Sequence, residues 1–173
     1  MIWRLLSLLP GPSAQELYTA IMRDEVAPAL RGMGLSGSGQ RYRMRAPGFW
    51  AQIGFQKSRG NDADLVKFTV NVSVIEQAAW ERDRQARPYL PARPSPHCIY
   101  GVEQWTERIG ILMPSQADHW WKVRSGWPTT RIAAEVVTAI ADYGLPAMKL
   151  RIEDLSEVKP PDIEVPRACE PER

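Results

Sequence analysis

Cysteine and histidine are scarce in this chain, and that scarcity removes several chemistries at once. Two cysteines, Cys98 and Cys169, lie far apart among 173 residues. Two are too few for a disulfide framework, so reduced thiols in a cytoplasmic protein are the expectation. The two histidines, His97 and His119, show no metal-ligand spacing, so no metal is expected and both read as structural or surface residues. A nucleophilic role for Cys98 would need a neighbouring base and an electropositive setting, and only folding could bring His119 to it. No phosphate-cradling loop stands in the chain. The glycines of residues 32–39 lack both the following lysine and serine or threonine of a nucleotide-binding loop and the preceding strand of a dinucleotide fold. They read as a flexible connector, and no cofactor is expected. No stretch approaches the ~20 apolar residues of a membrane span. The apolar run of residues 1–10 is broken by Arg4 and Ser7 and reads as mature sequence, not as a leader. The net charge of +2 is too small to indicate nucleic-acid binding from the total, leaving only a local basic patch for that role.

What is present describes a globular α+β protein. A hydrophobic fraction of 44% and a charged fraction of 24% are ordinary for a folded domain, and the length suits one core. The reading is a single domain over residues 1–157, followed by a proline-rich tail, 158–173, with too little apolar content to order itself. Ser13 and Glu16 form a capping box that starts a helix, whose apolar stripe runs through Tyr18, Met22, Val26, Ala29 and Leu30. Pro28 removes an amide donor from that helix, so a kink or an early stop is expected near residues 23–27.

Two stretches then alternate cleanly. Ala51, Ile53 and Phe55 share one side of the first, and Phe68, Val70, Val72 and Val74 share one side of the second, because side chains alternate along a strand. With residues 41–45 before them, they make an antiparallel meander with one greasy and one polar face. Residues 75–87 have helical composition. Pro88, Pro91, Pro94 and Pro96 then forbid both helix interior and central strand, which leaves a loop. Residues 102–113 read as a fourth strand, and 119–124 as a fifth strand or a turn of helix, with strand the preferred reading. Trp105 is expected in the core, and Trp120 and Trp121 on opposite sides. After Pro128 a helix is expected with Thr129 or Thr130 as N-cap and a stripe of Ile132, Val136, Ala139, Ile140 and Tyr143. Gly144 reads as its C-terminal cap, with Pro146 beyond it and a further short helix over 147–157. The fold expectation is therefore an antiparallel sheet of four to five strands, packed on one face by two main helices.

Several short pieces, taken in order, resemble a bacterial family known as domain of unknown function 4304 (DUF4304). They are Val26 to Leu30 with Gly34 and Leu35, Ile53 to Ser58, Phe68 to Val72, Arg108 to Gly110 with Trp120 and Trp121 behind, and Tyr143 to Pro146. The resemblance runs from about residue 20 to 147. It implies a compact α+β domain, a tolerated kink at Pro28, and no settled activity. The proline-rich segment and the tail lie outside the pieces that carry it.

Chemistry is best looked for on the polar sheet face. Arg41, Arg43, Gln52, Gln56, Thr69, Asn71 and Arg108 would converge there, on a surface turned to water, and guanidinium and carboxamide groups recognise anions and carboxylates. Three functions stay open. The first is a non-catalytic binding or accessory domain, immunity-like, with another protein or a small anionic ligand as partner. The second is an enzyme of unrecognised type acting on a small anionic substrate, with a carboxylate or His119 as base. The third is a nucleic-acid binder using Arg41, Arg43, Arg45, Lys57 and Arg59.

Overall fold

The computed structural model describes residues 11–101 and 104–157; the opening ten residues and the proline-rich tail lie outside them, and so does Cys169. Helix α1 (Ala14–Ile21) begins at the capping box. Ser13 Oγ accepts from the Glu16 amide at 3.3 Å, and Glu16 Oε2 accepts from the Ser13 amide at 2.8 Å. Pro28 does not stop this helix. The chain widens into a π-helical turn (Met22–Val26) and continues as α2 (Ala27–Gly32), the Ala27 amide reaching back to the Met22 carbonyl. Proline offers no amide to the carbonyl four residues before it, and one enlarged turn shifts the register so that the helix passes through.

The same device recurs near the C-terminus. Helix α5 (Thr130–Ala139) passes through a second π-helical turn (Ile140–Gly144) into α6 (Leu145–Glu157), with the Leu145 amide bonded to the Ile140 carbonyl. Gly144 is therefore no C-terminal cap, and Pro146 stands in the first turn of α6, where a missing amide costs least. Each widened turn ends two residues before a proline. Thr129 occupies the N-cap position of α5 without a side-chain cap bond.

The sheet is antiparallel with six strands, in the order β1 (Ser36–Ser38), β2 (Arg41–Met44), β3 (Phe49–Lys57), β4 (Leu65–Glu76), β5 (Gln104–Arg108), and β6 (Trp121–Arg124) pairs with β4 as well. The long β4 thus carries β3 along one edge, and on the other carries β5 over Asn71 to Ile75 and β6 over Leu65 to Phe68. The fourth strand is shorter than its alternation suggested. It ends at Arg108, and the chain turns through a four-residue helix, α4 (Ile109–Leu112), before returning as β6. Ile109 leaves the strand face to be fully buried.

The greasy face is covered by α1 with α2 and by α5 with α6. Phe55, Phe68, Val70, Val72 and Val74 are completely buried there with Leu30, Val136, Ile140 and Met148. Phe68 is the hub: its ring meets Tyr18 edge-on at 5.0 Å and stacks near Trp121 at 5.7 Å. Trp121 is buried, whereas Trp120 is half-exposed and Trp105 only half-buried against the core.

The polar face is only partly open to water, and the expected solvated surface is corrected on this point: Thr69, Asn71 and Ser73 are buried. Helix α3 (Gln77–Ala86) and the proline-rich segment after it fold back over it. A second small core of Ile75, Trp80 and Leu90, flanked by Trp50 and Tyr100, pins them down. Trp80 packs edge-on against Tyr100 at 4.8 Å, and Tyr100 Oη accepts from the Ser95 amide at 3.0 Å. Four prolines stiffen the chain between these anchors, which lowers the entropy lost in laying it on the sheet.

Candidate functional site

Register settles where the seven polar-face residues lie. One cross-strand row runs Arg41, Gly54, Asn71, Arg108, and the next runs Arg43, Gln52, Ser73, Thr106, with Gln56 opposite Thr69. All seven therefore share one face. Their environments differ sharply. Arg41 and Arg43 are exposed at the β2 side, Gln52, Gln56 and Arg108 are half-buried, and Thr69 and Asn71 are buried beneath the returning segment. Arg43 is occupied elsewhere, its Nε donating to Ser36 Oγ at 3.0 Å. Lys57, grouped with the basic residues in the nucleic-acid reading, sits on the opposite, helix-facing side, donating to Gln15 Oε1 at 3.0 Å. The five basic residues do not form one stripe.

Gly54 makes the closure possible. Standing between Arg41 and Asn71 in its row, it leaves a gap in the polar face, and the ring of His97 with Pro96 fills it. A Cβ on Gly54 would lie 2.5 Å from His97 Cε1 and 2.7 Å from Pro96 Cγ, closer than real side chains approach. Asn71 Nδ2 donates to Gln56 Oε1 at 2.8 Å and faces His97 Nδ1 at 3.3 Å. With Nδ1 accepting from the carboxamide, the ring proton belongs on Nε2. Burial first, and then the charge of Arg41, hold the His97 imidazole below its ordinary value of 6.5. The folded protein therefore binds fewer protons here than the unfolded chain. The contribution is present above pH 6.5 and lost as pH falls through the folded-state midpoint.

Beside this capped row lies a cleft of about 330 Å³, floored by Gln56, Asn71 and Thr106 and walled by Pro96, His97 and Arg108. Such a volume suits a side chain or a small ligand. Arg108 is held in place rather than loose: its Nη1 meets Asp118 Oδ2 at 2.7 Å, and its guanidinium lies over the Trp120 ring at 5.1 Å. Trp120 Nε1 donates to the same carboxylate oxygen at 2.9 Å. These two bonds, Trp120's foremost, hold the Asp118 carboxyl below the usual carboxylate range. Arg41, by contrast, makes no ion pair among the described residues. Ile99 and Ile111 form apolar lips and are 87% and 42% exposed.

Sequence reasoning placed Gln56, Asn71, Arg41 and Arg108 together and missed His97, Ile99, Asp118 and Trp120. Two signals pointed to His97: a glycine in the middle of a polar strand face, and a proline-stiffened return ending beside a histidine. Cys98 is exposed and free, and among the described residues no cluster of three potential metal ligands occurs. No helix among them is long and apolar enough to cross a membrane.

A family model described as "Domain of unknown function (DUF4304)" matches residues 26–150, well over half of the chain. The chain belongs to the DUF4304 family. The matched span runs through the proline-rich segment and carries every residue of the cleft. No curated protein matches the chain, and no solved structure does.

Proposed function

We propose that this DUF4304 protein is a non-catalytic binding domain, an accessory or immunity-like module. Its recognition site is the part of the polar sheet face left open beside His97. One observation carries this reading: a ready-made cleft offers carboxamides on its floor, a fixed guanidinium in its wall and exposed isoleucines on its lips, with the unpaired Arg41 in the same cross-strand row beyond Gly54. Arginine beside exposed apolar groups is the composition of protein-recognition centres, and exposed aliphatic side chains around a cleft mark where contact occurs. The partner fitting it is a protein segment carrying a carboxylate flanked by an apolar side chain, the acid directed to Arg108 and Arg41.

An enzyme acting on a small anionic substrate would draw on the neutral imidazole of His97 in the same cleft. That ring is oriented by a carboxamide, whereas a histidine working as general base is commonly oriented by a carboxylate.

Capture with the tagged chain from its host tests the proposal. A stoichiometric protein is expected with the wild type and is expected to be lost with the double variant Ile99→Asp/Arg41→Glu. Both sites are exposed, so the variant's melting temperature should stay within about 2–3 °C of the parent. A partner retained equally by the variant removes the cleft from the account.

A further inference from the structure

A second cleft, of about 460 Å³, opens on the helix side of the molecule, between the β1–β2 hairpin and the helix running from α1 through the first π-helical turn. Its wall is apolar in the middle and cationic at the edge. Tyr18, Met22, Ala27 and Tyr42 supply the apolar part, and Arg31 and Lys57 stand at the rim. Among the described residues no acidic side chain lines it. Arg23, the remaining cation, is committed to Asp24 through two bonds of 2.6 and 2.7 Å. Arg31 is steadied by the Gly37 carbonyl at 3.3 Å, and Lys57 Nζ, which gives one hydrogen bond to Gln15 Oε1 and keeps its other two protons, lies 4.9 Å from the centre of the Tyr18 ring.

Two features of this cleft serve no structural purpose. Tyr18 and Tyr42 are only 4% and 2% exposed, yet the Tyr42 hydroxyl has no hydrogen-bond partner and the Tyr18 hydroxyl has only the side chain of Gln40 beside it. Phenylalanine would fill both positions and keep the edge-on contacts with Phe68 and Phe55 without stranding a polar atom. Burial pushes the Tyr18 phenol up to about 12, against the pull of the Gln40 side chain, so it remains a donor at neutral pH. The wall next to these rings is the π-helical turn itself, a form that recurs at functional sites.

We propose that this cleft binds a small carboxylic acid with an apolar body, its carboxylate held by Arg31 and Lys57 with the Tyr18 and Tyr42 hydroxyls as further donors. The apolar body would rest on Met22, Ala27 and the two phenol rings. The inference is independent of the cleft beside His97, which lies on the other face of the sheet.

Calorimetric titration of the full chain with decanoate and with 4-phenylbutyrate tests it, each against its uncharged alcohol. One-site binding of at least one acid is expected, with the matching alcohol weaker by about tenfold or more, the factor a charge-assisted contact supplies. Arg31→Gln should weaken the acid by about tenfold. Tyr18→Phe and Tyr42→Phe should each melt no lower than wild type while binding the acid about fivefold more weakly, a split that a packing role would not produce. Failure of both acids to bind, alcohols binding as well as acids, or phenylalanine variants binding like wild type would each overturn the proposal.

Discussion

Phe68→Ala is expected to remove about 3–5 kcal/mol of folding stability, the range for emptying a fully buried aromatic site. The ring joins three elements. It meets Tyr18 of α1 and Trp121 of β6, with Phe55 of β3 at 6.5 Å, and none of these can follow it inward without leaving its own neighbours. Urea unfolding should show a lower midpoint at unchanged slope, the signature of a stability change in an intact fold. A loss of this size approaches the whole margin of a weakly stable domain, about 5 kcal/mol. The exposed Ile99→Ala should shift stability by less than about 0.5 kcal/mol in the same experiment. A loss below about 1 kcal/mol for Phe68→Ala would mean that the aromatic hub is not packed as described.

Gly110→Ala is expected to cost about 2–3 kcal/mol for a different reason, overpacking against backbone. Gly110 lies in α4, and the chain returning toward β6 crosses directly over it. A Cβ there would collide with the Ala117 carbonyl oxygen and come within 2.6 Å of the His119 amide nitrogen. A flexible side chain could give way, but these are main-chain atoms. The return must lift, and Asp118 lies within it, so the variant should also loosen the Arg108–Asp118 pair that walls the cleft. Stability by thermal melting and partner capture should fall together. Unchanged stability would show that the crossing over α4 is not closed.

The outcome at Gly110 bears on what the sequence could show. Strands β3 and β4 were legible because a two-residue period admits only one assignment of faces once one face must be buried. The capping box at Ser13 was legible because its two hydrogen bonds are local. Register then follows from the meander, which is why all seven residues fall on one face of the sheet. The cover over that face was not legible. Thr69, Asn71 and Ser73 have the composition of a wet surface, yet they are buried. Their burial is tolerable partly because Asn71 bonds to Gln56, and Ser73 accepts from Thr106 Oγ1 at 3.2 Å on a strand far away in sequence. The break at Ile109 was hidden for a related reason, since Trp105, Ile109 and Ile111 keep the strand period while tertiary packing turns the chain into α4. Gly144 and Pro146 carry the local marks of a helix end, and Pro28 those of a break. In each case burial on both sides of the proline, with Val26 and Leu30 or Ile140 and Met148 fully enclosed, holds the helix together through an enlarged turn.

The second cleft is not legible in the sequence for a simpler reason. Tyr18 and Tyr42 read as core positions from their periodicity, and they are core positions. Only the surroundings of the hydroxyls distinguish them, Tyr42's without a partner and Tyr18's with the Gln40 side chain alone, and that is a property of the folded protein.

Everything proposed for the polar face depends on the proline-rich segment lying on the sheet with His97 seated over Gly54. A proton NMR titration of His97 tests this most directly. The account predicts a midpoint below 6.5, with a cross-peak between the His97 ring and the Gly54 α-protons that weakens as the ring becomes charged. A His97 ring titrating at its ordinary value, with no contact to Gly54 at any pH, would contradict it.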